Sequence, residues 1–196
     1  MDYGKYRRAG AHMFVLWAVS ALAWLSDALA LVLNPDGALY AKLASLNLLL
    51  PFACSVILLT MAGWNRRYLG AGCCLLASSL ARVASEHPDM FTSRTATAVI
   101  IAFYFMGALA EYFECSAHGA VFAFIMQELR RGWGRIWTWY IWTLAAVLLG
   151  RILVKLLPGA NAAVGAVSVL AMLAQRAGKL ALLFISARNL AGRPRG

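Results

Sequence analysis

Glu111, Glu114, Cys115 and His118 fall in one short run, Glu111-Tyr112-Phe113-Glu114-Cys115-Ser116-Ala117-His118, inside a long apolar stretch. At about 100° per residue a helix gathers these four side chains within an arc of about 100°, so they share one face. Two carboxylates, a thiol and an imidazole there suit three kinds of chemistry. The first is mutual neutralisation, with bases supplied by Arg176 and Lys179 of the last apolar stretch. At about 1.5 Å per residue, Arg176 lies about 24 Å and Glu111 about 23 Å along their segments, which pairs Glu111 with Arg176 and Glu114 with Lys179. The second is a proton-linked or substrate-linked carboxylate, because intramembrane Glu and His chains build proton relays. The third is a transition-metal site with O, N and S donors. No metal is assigned, since the two nearby cations repel one and no second His lies in an apolar segment: His12 is at an inner interface and His87 in an outer loop.

A second charged layer consists of Asp27, Arg82 and Arg151. Their places along their segments, about 24, 20 and 22 Å from the inner ends, put all three in the outer third of the membrane. One carboxylate facing two guanidiniums holds the bundle together or receives an anionic group.

The elements that must position these residues follow from hydropathy. The chain has 196 residues, 62% hydrophobic and 13% charged, and a mean hydropathy of +0.70. A membrane crossing takes about 20 apolar residues, so six crossings leave only short connections and no separate soluble domain. The expected helices are 11–33, 43–63, 69–85, 96–118 or longer, 136–157 and 160–187, making residues 1–196 one all-α, six-helix transmembrane bundle. Breakers mark the gaps: Asn34-Pro35-Asp36-Gly37, Trp64-Asn65-Arg66-Arg67, His87-Pro88-Asp89, Arg131-Gly132-Trp133-Gly134 and Pro158-Gly159. Lys5, Arg7 and Arg8 precede the first apolar run in the manner of a signal peptide. At 23 residues, however, Ala11 to Leu33 is longer than a usual signal core and is expected to stay as a helix.

Basic residues set the orientation. Lys5, Arg7, Arg8, Arg66, Arg67, Arg130, Arg131, Arg135, Arg188, Arg193 and Arg195 fall in alternate connections and both tails, against only Lys42, Arg94 and Lys155 on the other side. The positive-inside rule then puts both termini in the cytoplasm of a multi-pass protein of the cell's inner membrane. The net charge of +10 is therefore a topology signal, and a nucleic-acid partner is not expected. Trp133, Trp137, Trp139, Tyr140 and Trp142 fit an interfacial aromatic belt. Cys54, Cys73, Cys74 and Cys115 all lie in apolar stretches as packing residues, without the spacing of a disulfide scaffold or zinc site. Gly70, Cys74 and Ser78 form a small-residue stripe that Arg82 continues, and Pro51, preceded by Asn47, frees a backbone carbonyl and is expected to kink its helix.

Size, the six-helix plan with both termini inside and the basic charge resemble, in outline, the substrate-binding components of energy-coupling-factor transporters. That implies a solute-binding subunit with a membrane-protein partner, although Ala11 to Leu33 lacks the Ala-x3-Ala pair of that family. Glu114-Cys115-Ser116, followed by Arg151, resembles the Cys-Ser/Thr-Gly element and downstream Arg of exosortase and archaeosortase transpeptidases, with Ala117 where those have glycine. It implies a Cys115 nucleophile made thiolate by His118 or Arg151, and it requires 117–130 to be a separate crossing. The leading expectation is a small membrane protein that binds or moves a small solute or ion as a transport component. A membrane-embedded enzyme comes second, and a sensory or scaffolding subunit third. The bilayer is the expected surrounding, with room for a membrane-protein partner or a second copy of the chain, and no cofactor is specified.

Overall fold

The computed structural model describes residues 3–85, 92–123 and 126–192. It contains six long helices: α1 (Tyr3–Ala30), α2 (Ala38–Thr60), α3 (Arg67–Ser85), α4 (Ser93–Val121), α5 (Gln127–Leu156) and α6 (Asn161–Ala191). Each is long and apolar enough to cross a membrane. Large apolar side chains such as Val56, Phe105, Trp142, Leu149 and Val167 cover the outside, as hydrocarbon rather than water requires.

The punctuation is local. Asn34 Oδ1 accepts from the Asp36 amide at 3.1 Å after α1, and Asn65 Oδ1 accepts from the Arg67 amide at 2.9 Å before α3. These short side-chain turns offer the backbone an alternative to the helix. Thr92 caps α4 by accepting from the Thr95 amide. His87-Pro88-Asp89 lies outside the described residues.

Two boundaries depart from expectation by eight residues or more. Arg131-Gly132-Trp133-Gly134 does not break the chain: α5 begins nine residues earlier than 136, at Gln127, and runs through it. The reason is tertiary. A Cβ on Gly132 would stand 3.1 Å from Leu182, so this glycine lets α5 and α6 approach rather than ending a helix. Likewise α1 starts at Tyr3 and runs through Gly10, which stands between the basic tail and the apolar run and is a place of helix contact rather than a break.

Neighbours follow chain order, and α1 packs against α6, which closes the six helices into a ring. At the closing seam a Cβ on Gly10 would meet the Ala191 amide nitrogen at 3.0 Å and the Ala187 carbonyl at 3.2 Å. Backbone atoms cannot swing aside, so close approach of α1 and α6 depends on that hydrogen side chain. The small-residue stripe of α3 is a second seam: Gly70 faces the Phe113 ring, and Ser78 Oγ donates to the Phe103 carbonyl at 3.0 Å.

Packing differs between the two ends. Near the termini the core is dense: Met13, Leu16, Leu58, Met61, Tyr68, Phe122, Trp133, Leu183 and Leu190 are all fully or almost fully buried. Towards the other end, α4 has no buried residue before Ala110 and α6 none before Gln175. The ring is therefore plugged at one end and looser at the other, and polar side chains sit where the plug stops.

Candidate functional site

Above the plug lies a cavity of about 280 Å³ that all six helices line. Leu16 and Leu183 lie at its packed end, and Asp27, Asn47, Ser78, Arg82, Glu111, Glu114, Gln175, Arg176 and Lys179 bring polar groups to walls that are otherwise apolar. At about 30 Å³ per water the space corresponds to roughly nine waters, the lower end of the range for small-molecule pockets.

Lys179 is the centre of the deeper layer. Its Nζ donates to Glu111 Oε2 at 2.7 Å and to Glu114 Oε2 at 2.9 Å, so one ammonium serves two carboxylates. Glu111 and Glu114 are three residues apart on one face of α4, which is what lets a single cation from α6 reach both. Counted as ionised groups, two acids against one base leave this layer with a negative excess. The other Glu114 oxygen, Oε1, lies 3.6 Å from His118 Nε2, and His118 Nδ1 lies 2.7 Å from the Tyr68 hydroxyl. A carboxylate only accepts, so the tautomer that suits both contacts carries its proton on Nε2 and takes the Tyr68 O–H at Nδ1. His118 is fully buried, stacks on Trp133 with ring centres 4.3 Å apart, and Trp133 Nε1 donates to Ser186 Oγ at 3.2 Å.

The shallower layer is built around Asp27. Its two oxygens accept from Asn47 Nδ2 at 2.8 Å and from Arg176 Nη1. Arg82 Nη1 donates to the Asn47 carbonyl at 3.5 Å. That carbonyl is the one whose helical partner Pro51 cannot supply, so Arg82 answers the gap that the proline makes.

The expected pairing of Glu111 with Arg176 is thus corrected. Arg176 turns to Asp27 on α1, and Lys179 takes Glu111 together with Glu114. The cause is ring closure, which makes α1 rather than α4 the neighbour of α6 and so brings Asp27 beside Arg176. The separation into two charge layers changes accordingly, because Arg176 joins the layer of Asp27 and Arg82. Arg151 lies on α5, and its side chain is outside the described residues.

Cys115 is buried, and its thiol points to Glu111 Oε1 at 3.8 Å. Helix α4 continues unbroken through Val121, so among the described residues 117–121 is no start of a separate crossing, which the transpeptidase resemblance requires. Cys54, Cys74 and Cys115 are buried, Cys73 is exposed, and all four are free thiols. Among the described residues no three His, Cys, Asp or Glu side chains are gathered as a metal would need, and the Lys179 ammonium stands between the two glutamates.

Three members of the site escape a reading of sequence. Tyr68 looks like one more interfacial aromatic, and Trp133 like belt. Gln175 had a visible signal, an amide in an apolar helix beside Arg176. Asn47 Oδ1 and Gln175 Nε2, both on residues of the cavity wall, are buried without a hydrogen-bond partner among the described residues. An unmet acceptor and donor each cost about 1–3 kcal/mol unless water or a solute meets them. No protein-family model, no curated protein and no solved structure matches this chain.

Proposed function

We propose that the chain binds a small polar solute in the central cavity and works as a component of membrane transport. The observation that carries this reading is a cavity, lined by every helix and carrying three acids and three bases, in the middle of an apolar bundle. A helix bundle that needed only to stand in lipid would fill that space with apolar side chains, because each ionisable group costs about 2.5–3.5 kcal/mol on insertion scales. The negative excess around Glu111 and Glu114 suits a solute with a cationic group. The line Glu114, His118, Tyr68 supports linkage to a proton, since it joins the cavity to the packed end through groups that exchange protons.

The test uses thermal unfolding of the purified chain in nanodiscs against a panel of free amino acids, polyamines and monocarboxylates. At least one amine-bearing solute should raise the melting temperature, as any ligand selective for the folded state does. Glu114→Gln should keep the fold and lose that shift, because Gln preserves shape without carrying charge. A panel that shifts nothing, with no uptake of its members into proteoliposomes, removes the reading.

Orientation is part of the same proposal: both termini in the cytoplasm of a cell membrane, on the strength of the basic residues that share one end. Reporter fusions after Arg67, after Arg135 and at the C-terminus should report cytoplasm, and one at Asp36 the opposite side. An outer-side signal after Arg135 is the result that defeats it.

A further inference from the structure

A second concavity, of about 400 Å³, lies between α4 and α5 at the end of the bundle that carries the termini, and no residue lines both it and the central cavity. Its floor is made of Gly119, Ala120, Ala123 and Gly134. A Cβ on Gly134 would meet nothing within 4 Å, so the floor is open rather than occupied by a neighbouring helix. Two guanidiniums stand at its edge. Arg67 is fixed there by its Nη1, which donates to Ser116 Oγ at 2.8 Å and to the Ser116 carbonyl at 3.3 Å. Its remaining N–H donors have no partner among the described residues, and neither Arg67 nor Arg130 has a carboxylate partner among them.

From Arg130 the groove descends seven residues along α5 to Trp137, about 10 Å at 1.5 Å per residue. There Trp137 and Tyr112 meet edge to face with ring centres 5.3 Å apart and form the apolar wall. A basic mouth at headgroup level above an apolar slot has the chemistry of a phospholipid: a phosphodiester above, an acyl chain below. A free phosphate would use the mouth and leave the slot empty.

We infer that this groove binds one anionic phospholipid, with its phosphate between Arg67 and Arg130 and an acyl chain along Tyr112 and Trp137. Arg131 and Arg135 do not line this groove; they line an outer face of α5 that adjoins it at Gly134. They serve as the internal control for general attraction to an anionic surface.

Native mass spectrometry of the full chain, titrated with phosphatidylglycerol or phosphatidylcholine, tests the site. One phosphatidylglycerol per chain should be retained, at least ten-fold more tightly than phosphatidylcholine. Arg67→Gln with Arg130→Gln should lower that affinity at least ten-fold, and so should Gly134→Leu, which fills the slot without changing charge. Arg131→Gln with Arg135→Gln should change it less than two-fold. Circular dichroism and gel filtration of each variant check folding, and Arg130→Glu, at an exposed position, gives a second charge variant. Equal loss from the Arg131 and Arg135 pair would show a diffuse basic surface and overturn the proposal. Full retention in Gly134→Leu would overturn the slot, and displacement of the lipid by millimolar inorganic phosphate would reassign the mouth to a free anion.

Discussion

Lys179→Met should be the most damaging single substitution in the membrane-spanning part of the chain, with a loss of about 3–5 kcal/mol, the range for removing one partner of a buried ion pair. The Lys179 ammonium is the sole Lys or Arg side chain contacting Glu111 and Glu114 among the described residues, at 2.7 and 2.9 Å. Without it, two carboxylates one helical turn apart face each other in a low-dielectric interior, where like charges repel strongly. Glu111→Gln and Glu114→Gln added to Lys179→Met should recover most of the loss, since three neutral groups need no countercharge. Reversible unfolding in detergent of the wild type, the single, the doubles and the triple yields the coupling energies. The same cycles discriminate the partners: Glu111 with Arg176 should show coupling near zero, whereas Asp27 with Arg176 should show a modest one. About half of the Arg176 side chain is accessible, against 17% for Lys179, so the Asp27 pair is the more screened of the two. A Lys179→Met protein as stable as wild type would mean that the glutamates are not ionised together, and the charge assignment of the cavity would have to change.

The contrast between Lys179 and Arg176 also marks where sequence stops being informative. Hydropathy carries the helix number, because hydrocarbon forces every backbone group into a helix and forces each crossing to about 20 residues. The shared face of Glu111, Glu114, Cys115 and His118 is equally legible, being a matter of 100° steps along one helix. Partners across helices are another matter. Depth along each segment placed Arg176 level with Glu111, but depth alone carries neither ring order nor side-chain direction. That α1 closes on α6 is a long-range fact, set by close-packing at positions such as Gly10 and not by any local pattern. The same applies to Gly132, which looks like part of a break between elements and instead lies within α5, close against Leu182 of α6. Glycine has one local meaning as a helix breaker and another, in membranes, as a place of close approach, and only the neighbouring helix decides between them.

Trp133→Ala should cost about 3–5 kcal/mol, the range for deleting a fully buried aromatic, and its consequences should reach the cavity. The indole is completely buried at the packed end, where it stacks on His118 and donates to Ser186. Removing it opens a void in the plug, and it leaves the Ser186 hydroxyl without that donor. His118 then loses the surface that fixes its plane, so the hydrogen bond to Tyr68 and the approach to Glu114 loosen together. Trp133→Phe separates the two roles in part, because a phenyl ring keeps a stacking surface while it drops the indole N–H and some ring volume; it should cost about 1–3 kcal/mol, less than the alanine variant. Solute-induced stabilisation should therefore survive in Trp133→Phe and weaken in Trp133→Ala, even at a temperature where both are folded. The measurement is thermal unfolding with and without solute, set beside the same pair of experiments for His118→Ala. If Trp133→Ala lost stability but kept the full solute shift, the packed end would be a plug and nothing more. His118 and Tyr68 would then lose their part in the proton line. If His118→Ala lost the shift, Trp133→Ala weakened it and Trp133→Phe kept it, the dense core near the termini would be positioning the carboxylates above it.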